Sequence, residues 1–364
     1  MCAGVVVKNT FVCIMDDDDE AASPSLRAAR ASHRAQSEGN VFPSYLETHS
    51  SELLSDGSAD HATPVAELVG EGCQSAEGED ACIADWVHAL EVGGLLASAA
   101  IADIANQARA LAFDPIGCHV VQRALEVANP AEAYHLASGL HGSVVDAARS
   151  PYAHLVLEEI VHRLGTNDAT FIAEEMMLGC VRSVALNIYG YKVVCRMLEF
   201  SAREHAVSAL VDEVLAQDIA ALCCHKFGHR VAMSIISNGS QGHRSRIIAS
   251  LREGGLQRLA RHRFASRVLE QALTQSSSAE AHALAAELMA QAGAVVSLAC
   301  HSFGMHVVRG LLQLPQESSK IALQYLQRAV RKLRKDKYAV ALVDELGLQD
   351  PEDRVARNLA VGGA

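Results

Sequence analysis

The chain has 364 residues, of which half are hydrophobic but only 4% are aromatic, and this balance favours helices over a sheet-rich fold. Its net charge of −12 is unevenly distributed, because residues 1–94 hold 4 Lys and Arg against 17 Asp and Glu, whereas residues 95–364 hold 27 against 26. No uncharged apolar run reaches about 18 residues, so the sequence predicts no transmembrane helix. Residues 95–364 are nearly neutral and can still carry a basic face that binds nucleic acid.

The first elements along the chain are not typical of a folded domain. Residues 5–15 are apolar, but no basic stretch precedes them and four aspartates follow, so we expect no secretory signal. Residues 16–82 are rich in Asp, Glu, Ser, Gly and Ala and lack a sustained apolar period, which predicts disorder. The ten cysteines show no spacing rule, which favours free thiols in a reducing compartment, the cytoplasm by default.

A short helix is expected around Cys82 to Leu90, with Trp86 on its apolar side, where it would cap the structure that follows. Gly93-Gly94 then predicts a break in the chain. We therefore expect residues 1–94 to form an acidic, mostly disordered region, residues 95–348 to form one domain, and residues 349–364 to form a C-terminal tail.

From Leu95 onward the sequence repeats itself. The segments are Asp114-Pro-Ile-Gly-Cys-His-Val-Val-Gln122, Ser150-Pro-Tyr-Ala-His-Leu-Val-Leu-Glu158, Asn187-Ile-Tyr-Gly-Tyr-Lys-Val-Val-Cys195, His225-Lys-Phe-Gly-His-Arg-Val-Ala-Met233, His262-Arg-Phe-Ala-Ser-Arg-Val-Leu-Glu270, His301-Ser-Phe-Gly-Met-His-Val-Val-Arg309 and a weaker Asp336-Lys-Tyr-Ala-Val-Ala-Leu-Val-Asp344. Successive copies are 36, 37, 38, 37, 39 and 35 residues apart. Seven copies at nearly one period indicate a repeat protein.

Each repeat predicts a small helical unit. A polar residue opens the segment as an N-cap does, a Gly or Ala indicates close packing, and two apolar residues form a buried stripe. A second amphipathic stretch precedes each segment, as in Glu204 to Leu222. Units of two or three helices cannot bury their apolar faces alone, so stacked neighbours share one core. The expected architecture is an all-α solenoid whose concave face is lined by equivalent helices.

The residues after the small residue fall at fixed positions on each helix. In the first repeat, Cys118 is the first position, His119 the second and Gln122 the fifth. The first and fifth positions are four residues apart and share one helix face, while Val120 and Val121 between them point to the core. We therefore predict that every repeat presents an outward triplet at the same height.

The aromatic-Gly/Ala-x-x-Val-Val pattern of these segments resembles the Pumilio (PUF) family, over about residues 95–348. Gly117 to Glu126 and Phe264 to Glu270 are the most similar segments. The resemblance implies a solenoid of about seven Pumilio-like helical repeats, each of which reads one base of single-stranded RNA with two or three side chains. In that family the first and fifth side chains bind the base edge and the second stacks on the bases.

The resemblance also implies roles for individual residues. Cys118 with Gln122 is similar to the family's adenine-reading pair, and Ser266 with Glu270 to its guanine-reading pair. The stacking position holds His119, Lys192, Arg230, Arg267 and His306. Because the family lays RNA antiparallel to the protein and the two pairs are four repeats apart, the resemblance suggests a core of 5′-G-N-N-N-A-3′.

Five further pairs match no base-reading pair that we can assign: His154/Glu158, Tyr191/Cys195, His229/Met233, Met305/Arg309 and Val340/Asp344. We nevertheless include those of the second, third, fourth and sixth repeats among the expected RNA-binding residues. The alternative interpretation is a helical-repeat scaffold that binds proteins and has lost most base reading.

The expected protein is a cytoplasmic monomer without catalytic activity, metal or cofactor. It would bind 3′ UTR-type mRNA elements and regulate translation or decay after transcription, together with protein effectors and away from membranes. The effector role is implied by the resemblance alone.

Overall fold

The computed structural model describes residues 76–315 and 317–350, with side chains described from Cys82 onward except at 166 and 167. The interpretation of residues 5–15, and that of 16–75 as disordered, lies outside the described residues. Within the described ranges the chain is helical and contains no strand. The predicted all-α class is confirmed.

Twenty-two helices follow one another in the described ranges. They are α1 Ala76–Val92, α2 Gly94–Asn106, α3 Ala108–Phe113, α4 Gly117–Val127, α5 Pro130–Ser138, α6 Val144–Arg149, α7 Ala153–Asp168, α8 Thr170–Leu178, α9 Val181–Ala185, α10 Gly190–Ser201, α11 His205–Val214, α12 Ile219–Cys224, α13 Gly228–Asn238, α14 Gln241–Glu253, α15 Leu256–Leu259, α16 Ala265–Gln275, α17 Ser278–Met289, α18 Ala294–Ala299, α19 Gly304–Gln313, α20 Glu317–Arg328, α21 Val330–Leu333 and α22 Ala339–Glu345.

After α1, the helices form seven repeats of three. Each repeat has a longer outer helix, a short helix of four to six residues, and a third helix that begins at the repeated segment. We call the third helices, α4, α7, α10, α13, α16, α19 and α22, the ladder helices. The sequence predicted two or three helices per repeat, and the short helix is the third.

The ladder helices α4 to α19 pack side by side in chain order. Their repeated apolar pairs are buried in one continuous core; Val120, Val121, Val193 and Val194 are at most 3% exposed. Each repeat thus buries its apolar stripe against its neighbours, and the α-solenoid prediction is confirmed.

The polar residue that opens each segment bonds to the start of its ladder helix. In the first repeat, the backbone N–H groups of Ile116 and Gly117 donate to Asp114 Oδ1 at 2.9 and 2.7 Å. In the fourth, the N–H groups of Phe227 and Gly228 both donate to His225 Nδ1 at 3.2 Å. Since the first N–H groups of a helix lack partners within it, these bonds fix where each ladder helix begins.

The small residue at the start of a ladder helix lies against the short helix before it. A Cβ atom added to Gly190 would lie 2.4 Å from the carbonyl oxygen of Val184, and one added to Gly304 would lie 2.4 Å from that of Leu298. Real Cβ atoms essentially never approach so closely. The close packing that the sequence indicated is therefore present.

Helix α1 covers the N-terminal end of the first repeat. Trp86 and Leu90 are 8% and 2% exposed and belong to the same core as the repeats, and α1 packs against α2 and α4. The helix begins at Ala76, so residues 76–82, predicted as disordered, are helical. Their composition lacks an apolar period, and the helix is anchored instead by the apolar residues that follow.

Among the described residues seven cysteines are free. No helix of the described ranges combines the length and apolar character needed to cross a bilayer.

Candidate functional site

The first, second and fifth positions of the ladder helices lie along one row of the structure, which we call the ladder face. The evidence is a set of side-chain contacts that run from each repeat to the next at matching positions. Every such contact joins residues 33 to 38 positions apart in the chain, which is one repeat.

The fifth positions contact the following ladder helix. Gln122 Nε2 donates to the backbone oxygen of Leu155 at 3.3 Å, and Glu270 Oε2 lies 3.8 Å from His306 Nδ1. Leu155 and His306 are both second positions. Gln122 and Glu270, four repeats apart, thus both reach a second-position residue of the following ladder helix.

Other fifth positions form ion pairs with the sixth position of the next helix. Glu158 lies 3.9 Å from Arg196, and Arg309 lies 3.3 Å from Glu345. Cys195 and Met233 are partly buried against the core. Gln122, Glu158, Glu270 and Arg309 therefore bridge neighbouring repeats by hydrogen bonds or ion pairs.

The first positions differ from the predicted outward orientation. Cys118 and Ser266 are fully buried, His154 and His229 are 3% and 7% exposed, and Tyr191 and Met305 are partly exposed. Neighbouring ladder helices pack against one another, which covers side chains in the first turn of each helix. Cys118 Sγ and Ser266 Oγ both donate to a backbone oxygen three residues earlier, those of Pro115 and Arg263.

Three consecutive repeats place a ring at the first position, and each ring contacts an aromatic residue of the next repeat. The ring centroids of His154 and Tyr189 are 4.9 Å apart. Tyr191 stacks on Phe227 at 5.5 Å, and His229 stacks on Phe264 at 4.8 Å. These distances are typical of favourable aromatic pairs. The partner is always the third residue of a segment, which sequence reasoning had treated only as an apolar residue of the repeat core.

Several second positions are accessible to solvent. His119 is exposed, and its Nδ1 lies 3.1 Å from Gln122 Oε1. The cationic second positions Lys192, Arg230 and Arg267 are partly exposed. The ladder face therefore offers planar and cationic groups at the surface, with hydrogen-bonding groups behind them.

Two carboxylates on the ladder face are only slightly exposed. Burial raises the pKa of Glu158 and that of Glu270, while Lys192 and Arg196 oppose the shift at Glu158 and Arg267 and Arg309 oppose it at Glu270. The Glu270 side chain is 23% exposed and lies 3.7 Å from Arg267. This carboxylate combines acceptor oxygens with nearby cations, a pattern suited to an N–H-rich base edge beside a phosphate.

The ladder-face cysteines are not reactive thiols. Burial raises the pKa of Cys118 to about 11 and that of Cys195 to about 12. Since the thiolate is the nucleophile and the metal ligand, these side chains act as small, weakly polar groups at neutral pH. Among the described residues no cluster of three His, Cys, Asp or Glu side chains could hold a metal ion.

Three segments of the chain match the family model of the Pumilio-family RNA binding repeat: residues 107–141, 218–251 and 257–289. They include the first, fourth and fifth ladder helices. Pumilio homolog 9 of Arabidopsis thaliana is 22% identical over 255 residues, which cover 69% of this chain and 44% of that protein. The chain thus spans less than half the length of this relative.

Solved structures share the fold. The Puf3 RNA binding domain bound to a Cox17 RNA 3′ UTR recognition sequence has a TM-score of 0.65 and 17% identity, covering 75% of this chain and 85% of that one. PUF-8 in complex with PBE-RNA has a TM-score of 0.62 and 18% identity, covering 69% and 74%. At these identities the likeness establishes the solenoid fold.

Proposed function

We propose that the ladder face binds single-stranded RNA with sequence selectivity, one nucleotide lying against each repeat, because three segments of the chain match the model of the Pumilio-family RNA binding repeat. The observation that carries this proposal is the equivalent placement of Gln122 and Glu270, each reaching the second position of the next helix. An amide and a carboxylate thus occupy the fifth position of two different repeats. Such an arrangement suits a polymer whose repeating units carry different bases. The related solenoids solved in RNA complexes support the same ligand class.

The proposed contacts fall into three groups. The fifth positions bind base edges, the second positions stack on bases, and the buried first positions shape the site for each base. The residues are Cys118, His119, Gln122, His154, Glu158, Tyr191, Lys192, Cys195, His229, Arg230, Met233, Ser266, Arg267, Glu270, Met305, His306 and Arg309.

The proposed biological role is post-transcriptional regulation of mRNA in the cytoplasm, through 3′ UTR-type elements and with effector proteins that alter translation or decay. The proposed RNA-binding unit extends from α1 to Leu348, because Trp86 and Leu348 are both buried in its core. The proposed role is binding without catalysis.

The proposal is tested by measuring the base preference of the repeat that contains Glu270. A carboxylate accepts from the N1–H and N2–H groups of guanine, whereas Gln offers only one acceptor oxygen. We expect Glu270→Gln to lower the preference for G over A at the first base of a G-N-N-N-A oligomer by about 1–3 kcal/mol, the value of a good bidentate base contact. The measurement is the Kd of the full chain for the two oligomers.

Glu253→Gln is the matched control, because Glu253 is exposed at the end of the outer helix α14. It should leave the preference unchanged. Equal preference in the parent and in Glu270→Gln would show that this carboxylate does not read a base.

A second candidate is a protein-binding scaffold. It is favoured by the rings of His154, Tyr191 and His229, which already contact the next repeat and are therefore poorly placed to bind a base edge. Selection of RNA from a random pool by the full chain separates the two. Enrichment of a short motif supports RNA reading, and recovery of unenriched pools supports the scaffold.

A further inference from the structure

Three ladder segments carry a cation at the residue before their aromatic residue. Lys226, Arg263 and Lys337 hold this position in the fourth, fifth and seventh repeats, and all three are exposed. Each cation lies over the ring of the next residue: Lys226 Nζ is 5.4 Å from the Phe227 ring centroid, Arg263 Cζ is 5.5 Å from that of Phe264, and Lys337 Nζ is 4.5 Å from that of Tyr338.

Two of these rings connect the cations to the ladder face. Phe227 stacks on Tyr191, and Phe264 stacks on His229. Lys226 and Arg263 therefore lie one aromatic ring away from a first-position side chain of the preceding repeat. We call the three exposed cations Lys226, Arg263 and Lys337 the charged edge.

The charged edge is confined to the C-terminal half of the solenoid. The corresponding residues of the first three repeats are Pro115, Pro151 and Ile188, and that of the sixth is Ser302. In the fourth and fifth repeats a second cation, Arg230 or Arg267, follows four residues later at the stacking position. These two repeats thus combine an edge cation with a cation on the ladder face.

We propose that Lys226 and Arg263, joined by Lys337, bind the phosphates of a single-stranded RNA whose bases lie on the ladder face. The proposal rests on the RNA-binding function proposed above and adds a sequence-independent phosphate site to it. Each cation is held over its own ring by a cation–π contact, which orders a long side chain before the ligand arrives. Such ordering reduces the entropy lost when the strand binds.

Phosphate contacts have a measurable signature. Each phosphate neutralised on a single strand releases counterions and changes the slope of log Kobs against log salt by about −0.7. The double variant Lys226→Gln/Arg263→Gln should therefore bind the G-N-N-N-A oligomer with a slope less steep by about 1.4 than the parent. It should also bind more weakly at low salt to every sequence, with the preference for guanine retained.

The matched control is Arg203→Gln/Lys320→Gln, which removes the same charge from exposed residues outside the ladder face, in the turn after α10 and on the outer helix α20. Its slope should equal that of the parent. The melting temperature of each variant, followed by circular dichroism, verifies that the folds are comparable.

The outcomes are distinct. A double variant that binds RNA with the parental slope overturns the phosphate site while leaving the proposed function intact. Equal slope changes in the variant and the control also overturn it, because the effect would then reflect net charge alone. A parent chain that binds no RNA at low salt overturns both proposals.

Discussion

The residue that opens each ladder segment accepts hydrogen bonds from the start of its helix with one of four acceptor types, including the Ser150 hydroxyl. Asp114 and Asn187 accept helix N–H groups with a side-chain oxygen, and His225 accepts them with Nδ1. A ring nitrogen can accept only when it is unprotonated. The three histidines of this class therefore make the ladder sensitive to pH in a way that Asp and Asn do not.

We predict that stability falls as the pH drops below about 6.5, the ordinary pKa of His. Burial, aided by Arg182, Arg258 and Arg261 respectively, lowers the folded-state pKa of His225, His262 and His301. The unfolded chain then binds protons first, so the contribution is complete above the unfolded pKa and is lost as the pH falls through the folded pKa. Urea denaturation at several pH values gives the free energy of unfolding.

Replacing these three histidines with Asn, which Asn187 shows to be compatible with the bond, should make the loss of stability in acid smaller than in the parent. The control carries Asn at His88, His135 and His205, which are exposed on α1, α5 and α11 respectively. If both triple variants lose stability in acid as the parent does, the helix-opening histidines are not the source.

The sequence predicted which residues occupy equivalent positions of the repeats better than it predicted how buried their side chains are. The helical period and the repeat fixed which residues share a row, so Gln122 and Glu270 could be aligned without a structure. It did not foresee that Cys118 and Ser266 are fully buried. Their exposure depends on the spacing of neighbouring ladder helices, which is set by contacts between residues about 35 positions apart.

Four ladder helices begin with a glycine that packs closely against the short helix before it: Gly117, Gly190, Gly228 and Gly304. The period alone indicated a small residue there, but the structure identifies what it meets, the backbone of the short helix.

We predict that Gly190→Ala destabilises the protein by about 1–3 kcal/mol, the usual cost of an overpacked site. The added Cβ would lie 2.4 Å from the Val184 oxygen, a backbone atom that cannot rotate away. Gly242→Ala is the control, because its Cβ would meet only Ser240 Oγ at 3.8 Å. It should be neutral or stabilising, since Ala favours helix. Thermal unfolding of both variants compares the two sites, and equal melting temperatures would contradict the packing argument.

The stability of a solenoid is approximately the sum of its repeats and of the interfaces between neighbouring repeats. The apolar surface of a terminal repeat must therefore be covered. Helix α1 covers the N-terminal end with Trp86 and Leu90. The isolated apolar positions of this segment predicted a cap, but its start at Ala76 was not foreseen, because the acidic residues before Cys82 carry no helical period.

We predict that Trp86→Ala unfolds the first repeat locally before the rest. Loss of a buried Trp costs about 3–5 kcal/mol, and in a solenoid this loss falls mainly on the adjoining repeat. Hydrogen exchange should accelerate in α2 and α4 and remain slow in α16 and α19. Val92→Ala, at a residue 56% exposed, is the control. Uniform acceleration in Trp86→Ala would indicate one global transition instead.

The bridge between Glu270 and His306 has a consequence for combining mutations. Glu270, which would select one nucleotide, contacts His306, which would stack on the adjacent nucleotide. The contributions of the two repeats to the binding free energy are therefore coupled. Changes in adjacent repeats should therefore be non-additive, whereas changes two or more repeats apart should combine independently. Any redesign of base preference in this chain has to change neighbouring repeats together, because each repeat contacts the next.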